Sequence, residues 1–270
     1  KFKQQFKEIF DILSPKRVFF TLEGHTFERS IVSAAREVSS SIKCIGYQHS
    51  SHFYTQNSIF QSYSSNYDPD IVLTTGHLAS KFAKSKFENK NIQFYSVGTS
   101  KRINNIKIIG NDCLIAPEGY LSEVKLLCKF GKKVAVERPD INFILRLHPR
   151  SKNNLLTKLF LNFFTFPKNF SISSDDISVD LKKCSTLLYR GSTVAIQAGC
   201  LGIIPIYLKL KNELTVDPLF MLGSKTLKIN TIKEFLDIYD KKVKSPDVKS
   251  YCNDYYMPLK TITNNKMFES

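Results

Sequence analysis

The chain has 270 residues, enough for one large domain or two of ordinary size, and its 42% hydrophobic content excludes a disordered protein. Its formal net charge of +15 fits biased codon usage, but it also indicates a phosphorylated ligand or an anionic membrane surface. No stretch approaches the ~20 apolar residues of a membrane-spanning helix, and no nucleic-acid-binding module is recognisable. The six cysteines lie far apart, mostly within apolar runs, which predicts buried thiols in a reduced compartment and no zinc site.

In the first half of the chain, short apolar runs alternate with amphipathic helical patterns. Strands are predicted at 17–22, 42–47, 71–74 and 92–97, with helices beginning near Thr26 and after Gly76. This alternation predicts a parallel sheet covered by helices.

The same rhythm restarts near residue 112. Strands are predicted at 113–116, 141–147, 186–189 and 203–208, followed by a helix around 232–239, while the Phe-rich stretch between 150 and 185 receives no element. The sequence therefore predicts an α/β protein of two Rossmann-like domains, 1–105 and 106–270. Ligands of parallel sheets bind beyond the carboxyl ends of the strands, so we expect the two sheets to face a central cleft.

Two polar motifs follow predicted strands in the second half. In Arg146-Leu147-His148-Pro149 the imidazole can donate to a phosphate oxygen while the proline stiffens the turn; the alternative is a histidine that caps local backbone.

The second of these motifs is Arg190-Gly191-Ser192-Thr193, which stands between a strand and a helix. Backbone N–H groups at a helix start, two hydroxyls and a guanidinium suit an anion. The alternative is an ordinary N-cap by Ser192.

Carboxylates follow strands in both halves. Glu23 stands beside Gly24 and suits a general base, provided that desolvation raises its pKa; His49, after the next strand, is expected to face it. Glu28 is a second catalytic candidate, although an acid in a first helical turn also favours the helix dipole. His25 is expected to cap the local backbone.

A further motif of the second half, Pro117-Glu118-Gly119, follows its first predicted strand. Glu118 can hold ribose hydroxyls or a base edge, and Gly119 permits close approach of backbone to a ligand.

Between residues 17 and 210, these motifs resemble the bacterial surface-polysaccharide glycosyltransferases of the GT-B fold, especially the sialyltransferases and Kdo transferases that use CMP-activated sugars. The resemblance implies that Glu23-Gly24 supplies the catalytic carboxylate. It also implies that His148-Pro149 and Ser192-Thr193 contact the CMP phosphate. We expect Arg146, Arg190 and Gly191 to bind the donor together with them. Leu22 stands where a second acid is often found, and the N-terminal half is short for this fold.

The resemblance implies transfer of a Kdo-like or sialic-acid-like sugar from a CMP donor to a glycan or lipid-linked glycan of lipopolysaccharide or capsule. It further implies a cytoplasmic enzyme at the inner face of the bacterial inner membrane, with no metal, no cofactor and no nucleic acid partner. Two alternatives stay open. The donor could be a UDP- or GDP-sugar or of CDP-glycerol type, or the chain could be a non-catalytic nucleotide- or glycan-binding domain.

Overall fold

The strands form two parallel sheets in the computed structural model, which describes residues 1–88, 91–103, 106–243 and 246–259. The chain divides into two compact units. Unit 1 contains Lys1–His52, Gln56–Arg102 and the residues from Asp254 onward, and unit 2 contains Phe53–Thr55 and Ile103–Asn253. The return of the chain to unit 1 at Asp254 was not part of the predicted division at residues 105 and 106.

Unit 1 has a four-stranded sheet in the order β1-β2-β3-β4, with every pair parallel. Each strand sits close to its predicted position, but the first helix was missed by the sequence analysis. The elements in chain order are α1 (Phe2–Leu13), β1 (Arg17–Thr21), α2 (Thr26–Val38), β2 (Lys43–Gln48), a 3-10 turn (Ser58–Phe60), β3 (Ile71–Thr74), α3 (His77–Lys86) and β4 (Gln93–Ser96).

Unit 2 has a six-stranded parallel sheet in the order β10-β9-β8-β5-β6-β7. The stretch that received no predicted element contains three helices and a strand. The elements are β5 (Asp112–Pro117), α4 (Leu121–Glu137), β6 (Phe143–Leu145), α5 (Pro149–Lys152), α6 (Leu155–Phe163), β7 (Phe170–Ile172), α7 (Ile177–Lys183), β8 (Cys184–Arg190), α8 (Val194–Leu201), β9 (Ile204–Leu208), β10 (Leu227–Ile229), α9 (Ile232–Asp240) and α10 (Pro246–Tyr255).

Each sheet is buried by the apolar faces of its helices. In unit 1, Phe10 of α1 packs with Ile31 and Ala35 of α2, so the amphipathic faces of the two helices meet. In unit 2, α4 places Val124 and Leu127 in the main core cluster, which also takes in residues of β5, β6, β8 and α9. Apolar burial of this kind is the main stabilising contribution in both units.

The six cysteines are buried thiols that form no disulfide bond, as the sequence predicts. Burial raises the pKa of the Cys44 thiol to about 11. The described helices include none that is both long enough and apolar enough to cross a bilayer.

His52 is buried in unit 1 at 1% exposure, among the rings of Phe60, Phe82 and Tyr255. Burial lowers its pKa to about 3, whereas an unfolded histidine titrates near ~6.5. Between these two pKa values, His52 is protonated in the unfolded chain and neutral in the folded chain. The stabilising effect of this neutral histidine is complete above pH ~6.5 and is lost as the pH falls.

We expect acid to destabilise the wild type more than a His52→Phe variant, which removes the titrating group but keeps an aromatic ring. Between pH 7.5 and 5.0 the difference in the loss of unfolding free energy should be about 2 kcal/mol. Urea unfolding at the two pH values measures it. Equal losses in the two proteins would contradict the assignment of this acid sensitivity to His52.

Candidate functional site

Glu23 lies in the turn after β1 and is held between two imidazoles. Its Oε1 lies 2.9 Å from His49 Nε2, and its Oε2 lies 3.2 Å from His25 Nε2. Because β1 pairs in parallel with β2, the two strands end at the same edge and bring His49 to Glu23. His49 was expected here. His25 was expected to cap the local backbone, and it is the N-cap residue of α2, but its contact with Glu23 was not predicted.

The acidity of Glu23 differs from the expectation. Burial acts to raise its pKa, but the hydrogen bond with Ser50 and the charges of His49 and His25 outweigh it, so the pKa is lowered. The expected net rise in the pKa of Glu23 is therefore wrong. The carboxylate is ionised at neutral pH and is therefore able to accept a proton.

Lys101 adds a cation to this edge of unit 1. Its Nζ donates to the carbonyl of His49 at 3.0 Å. Burial lowers the pKa of Lys101, and the charge of Glu23 opposes that effect. Lys101 was not predicted as a site residue, because it lies in the polar stretch that was assigned to the domain boundary.

Glu28 has a structural role. It is fully buried, and its carboxylate accepts the backbone N–H groups of Glu23 at 2.8 Å, Gly24 at 2.8 Å and His25 at 2.9 Å. The prediction of a catalytic Glu28 is therefore corrected, because no part of this side chain is open to a substrate. Glu28 shapes the turn that presents Glu23.

Gly24 is required in that turn. Its φ is +88°, and a Cβ at this position would lie 2.5 Å from the backbone nitrogen of Ile59. Any larger residue would displace the backbone next to Glu23.

In unit 2, the strand order places the loop after β5 between the loops after β6 and β8. Gly119 lies beside His148, since a Cβ on that glycine would be 3.1 Å from His148 Nδ1. Glu118 lies over Gly191 on the other side, where a Cβ would be 2.4 Å from Glu118 Oε2. Three of the predicted motifs thus meet at one edge of the sheet.

The imidazole of His148 caps a helix and still has a second nitrogen. Its Nδ1 accepts the backbone N–H of Arg150 at 3.2 Å, and Pro149 occupies the first position of α5. Burial and the charge of Arg150 lower the pKa of His148, which favours the neutral ring. With Nδ1 accepting, the proton of the neutral ring is on Nε2, which can donate to a ligand.

The helix start after β8 is not capped in the way the alternative interpretation requires. Thr193, and not Ser192, is the N-cap of α8, and its side chain makes no capping hydrogen bond. Gly191 turns the chain with φ +62°. The amides of Ala195 and Ile196 donate to the carbonyls of Ser192 and Thr193. The two hydroxyls and the positive end of the helix are therefore what this turn offers to an anion.

The guanidinium of Arg190 is buried and bonds to other residues of unit 2. Its side chain is 2% exposed, and it donates to Glu123 Oε2 at 2.8 Å, to the Leu208 carbonyl at 2.9 Å and to Glu213 Oε2 at 2.6 Å. Burial acts to lower the pKa of Arg190, but the hydrogen bond and charge of Glu123 more than offset it, so the pKa is raised. The prediction that Arg190 grips the donor phosphate is revised to a positioning role.

Arg146 is also bound elsewhere. Its Nη1 donates to Asp180 Oδ2 and to the Asp175 carbonyl, both at 2.8 Å. Asp180 is 1% exposed, so this pair anchors α7 to the end of β6. The predicted contact of Arg146 with the donor is corrected accordingly.

Arg150 is the exposed guanidinium at this edge, and the sequence analysis did not single it out. It lies 5.1 Å above the ring of Tyr120, and a Cβ on Gly119 would lie 3.4 Å from its side chain. Burial and the charge of Glu123 raise the pKa of Glu118, while the charges of Arg150 and Arg190 oppose the rise. Arg150 could have been recognised from the sequence as a ligand-binding candidate, because it follows directly after His148-Pro149.

A cavity of about 460 Å³ in unit 2 lies at the opposite edge of the sheet. Its lining includes Ser185 and Ile204, at the amino ends of β8 and β9. It also includes Arg138, at the end of α4, and Tyr239 of α9. Because ligands of parallel sheets bind at the carboxyl ends, we do not assign the donor to this cavity. Within the described ranges, no group of three or more His, Cys, Asp or Glu side chains is arranged to hold a metal ion.

No protein-family profile and no curated protein matches the sequence. Solved structures do resemble it. The UDP-GlcNAc 2-epimerase of Methanocaldococcus jannaschii, in complex with UDP-GlcNAc and UDP, matches 89% of this chain and 72% of its own, with a TM-score of 0.60 and 11% identity. The UDP-GlcNAc 2-epimerase of Neisseria meningitidis, bound to UDP-GlcNAc, matches 99% and 78%, with a TM-score of 0.56 and 11% identity.

A third similar structure is that of the pneumococcal O-GlcNAc transferase GtfA in complex with UDP and GlcNAc. It matches 93% of this chain and 56% of its own, with a TM-score of 0.58 and 11% identity. At such identities a likeness establishes the fold alone. The predicted α/β class with two Rossmann-like units of the GT-B type is thereby confirmed.

Proposed function

We propose that this chain is a glycosyltransferase that takes its sugar from a nucleotide donor, and that the donor is a UDP-sugar. The observation that carries the proposal is the edge of unit 2 where the loops after β6, β5 and β8 lie side by side. That edge combines the Nε2–H of His148, the guanidinium of Arg150 and the start of α8 with Ser192 and Thr193.

The spacing of these groups favours a diphosphate over the single phosphate of a CMP-sugar. β6 and β8 are separated by β5, so their loops start about 10 Å apart, two strand spacings. One phosphate with a hydrogen bond of about 2.8 Å on each side spans less than that. A diphosphate can reach from His148 to the hydroxyls at the start of α8. The three similar structures described above are all named with UDP or UDP-GlcNAc.

In the proposed reaction an acceptor hydroxyl attacks the anomeric carbon while the bond from that carbon to the diphosphate oxygen breaks. The hydroxyl proton passes to the carboxylate of Glu23, which His25 and His49 hold in position. The electron pair leaves with the nucleotide, and His148, Arg150 and the start of α8 stabilise its charge. The carboxylate of Glu118 accepts hydrogen bonds from hydroxyl groups of the donor. These cationic and dipolar groups supply the neutralisation without a metal ion.

The acceptor in this proposal is a surface glycan or its lipid-linked precursor, assembled at the cytoplasmic face of the membrane. The excess of basic side chains, a net +15, supports attraction to phosphorylated or anionic partners.

Titration calorimetry with UDP, UDP-GlcNAc, CMP and a CMP-ulosonic acid tests the donor class. We expect UDP to bind at least tenfold more tightly than CMP, because it fills both ends of the anion site. Thr193→Val should weaken UDP binding by about tenfold through one lost charge-assisted hydrogen bond. Thr165→Val, on an exposed loop of the same unit, is the matched control. Tighter binding of CMP than of UDP would restore the CMP-sugar interpretation.

Epimerisation of a UDP-sugar is the second candidate. It is favoured by the likeness over most of this chain to the two proteins named UDP-GlcNAc 2-epimerases. NMR of UDP-GlcNAc incubated with the protein and no acceptor separates the two reactions. A new UDP-sugar epimer establishes the second candidate, whereas transfer yields free UDP only when an acceptor is added.

A further inference from the structure

Helix α6 of unit 2 presents a row of large apolar side chains to solvent. Leu155 is 69% exposed, Leu156 60%, Leu159 44% and Phe163 86%. At 100° per residue these four positions fall within about one third of the helix circumference. The opposite side of α6 is already used, because Thr157 is buried and Phe160 and Leu161 pack on the core. We call the four exposed residues the α6 stripe.

The surroundings of the α6 stripe are basic. Between Asp140 and Asp175 the sequence contains no acidic residue, but it contains the basic residues Arg146, Arg150, Lys152, Lys158 and Lys168. Two lysines of α4 reach the same helix: Lys125 Nζ lies 5.7 Å from the ring centre of Phe160, and Lys132 Nζ lies 5.2 Å from that of Phe164.

An exposed apolar row framed by cations matches one kind of surface. Apolar side chains enter the boundary between lipid headgroups and acyl chains, while lysines bind anionic headgroups. A second copy of this basic chain would repel these lysines, whereas anionic headgroups pair with them. Charge complementarity therefore favours an anionic bilayer.

We infer that α6 is a membrane-docking helix that lies in the headgroup region of an anionic bilayer, with the α6 stripe inserted. The inference deepens the membrane part of the proposed function and does not depend on the donor nucleotide. α6 follows directly after α5, which begins next to His148. Docking therefore holds the proposed donor edge of unit 2 near the membrane, where a lipid-linked acceptor lies.

The chain contains no tryptophan, so a single introduced indole reports its own surroundings. We expect the emission of Phe163→Trp to shift to shorter wavelength with phosphatidylcholine vesicles that contain phosphatidylglycerol, and to stay unchanged with phosphatidylcholine alone. Leu214→Trp replaces another exposed apolar residue of unit 2, at 74% exposure, and should show no shift. A shift of both indoles, or of neither, overturns the inference.

Co-sedimentation with the same vesicles measures affinity. Replacing Leu155, Leu159 and Phe163 together by Gln should lower binding at least tenfold, and Lys158→Gln should lower it about fivefold. Ile12→Gln with Leu13→Gln, on the exposed side of α1, is the control and should bind like the wild type. Because all these side chains are exposed, thermal unfolding should show no change of fold.

Two further readouts separate the possible failures. Sedimentation velocity without vesicles detects self-association. If the triple Gln variant abolishes a wild-type dimer but still binds vesicles, the α6 stripe joins two copies and the membrane inference fails. Titration with UDP on the same variants should be unchanged. If vesicle binding requires α6 but UDP does not bind at all, the inference stands and the proposed donor fails.

Discussion

Glu23→Gln is expected to lower kcat by about 10²- to 10⁴-fold while leaving the affinity for the donor nucleotide unchanged. The amide keeps the size of the side chain and can still bond the imidazoles, but it accepts no proton from the acceptor hydroxyl. The donor groups lie on other loops, in unit 2, so the nucleotide should bind as before. Single-turnover transfer and calorimetry with UDP measure the two effects separately.

The pH dependence gives an independent check on the same residue. Because the pKa of Glu23 is lowered, the carboxylate stays ionised below the usual range of a glutamate. The limb of the rate profile that reports this base should therefore fall only in acid below pH ~4.3, the ordinary value for a glutamate.

Glu37→Gln is the control for this experiment. Glu37 is an exposed carboxylate that pairs with Lys3 at 2.5 Å, so its loss should leave turnover unchanged. Wild-type turnover in Glu23→Gln would contradict the role of Glu23 as the base. Nucleotide binding without any transfer by the wild type would favour the remaining alternative, a non-catalytic binding domain.

The sequence predicted the strands and their carboxyl ends because both follow from local patterns. The run at 71–74 is apolar and lies between polar turns, and the strand occupies those four residues. Once strands are parallel, residues such as Glu23 and His49 that follow neighbouring strands must meet at one edge. The sequence therefore allowed us to predict a polar site at the carboxyl ends of the strands in each sheet.

The hydrogen-bond and ion-pair partners of individual side chains could not be predicted from the sequence. Arg190 follows a strand as a phosphate-binding arginine would, and only the fold shows that Glu123 and Glu213 converge on it from distant parts of the chain. Glu28 has the spacing of a catalytic acid and also that of a capping residue, and local pattern does not separate the two. α6 was missed because its apolar residues cover two sides, which obscures the usual period of a half-buried helix.

Arg190→Met is expected to destabilise unit 2 by about 3 kcal/mol, through the loss of one partner of a buried ion pair. Glu123 would keep its charge with 16% exposure and no guanidinium, whereas Glu213, at 48% exposure, can return to water. The midpoint of thermal unfolding should fall by roughly 10 °C. Arg190→Lys should recover only part of this, because an ammonium does not reproduce the fixed fork that reaches three acceptors.

Arg150→Met is expected to weaken ligand binding without lowering stability, the opposite of Arg190→Met. Comparison of the two variants shows which arginine binds the ligand. Arg150 is exposed and contacts the ring of Tyr120, so its loss should change the unfolding midpoint by no more than about 2 °C. It should weaken UDP binding about tenfold, since it removes a cation from the anion site. If Arg190→Met instead unfolds like the wild type and loses UDP binding, Arg190 contacts the phosphate directly. The ion pairs with Glu123 and Glu213 would then have to open when the donor binds.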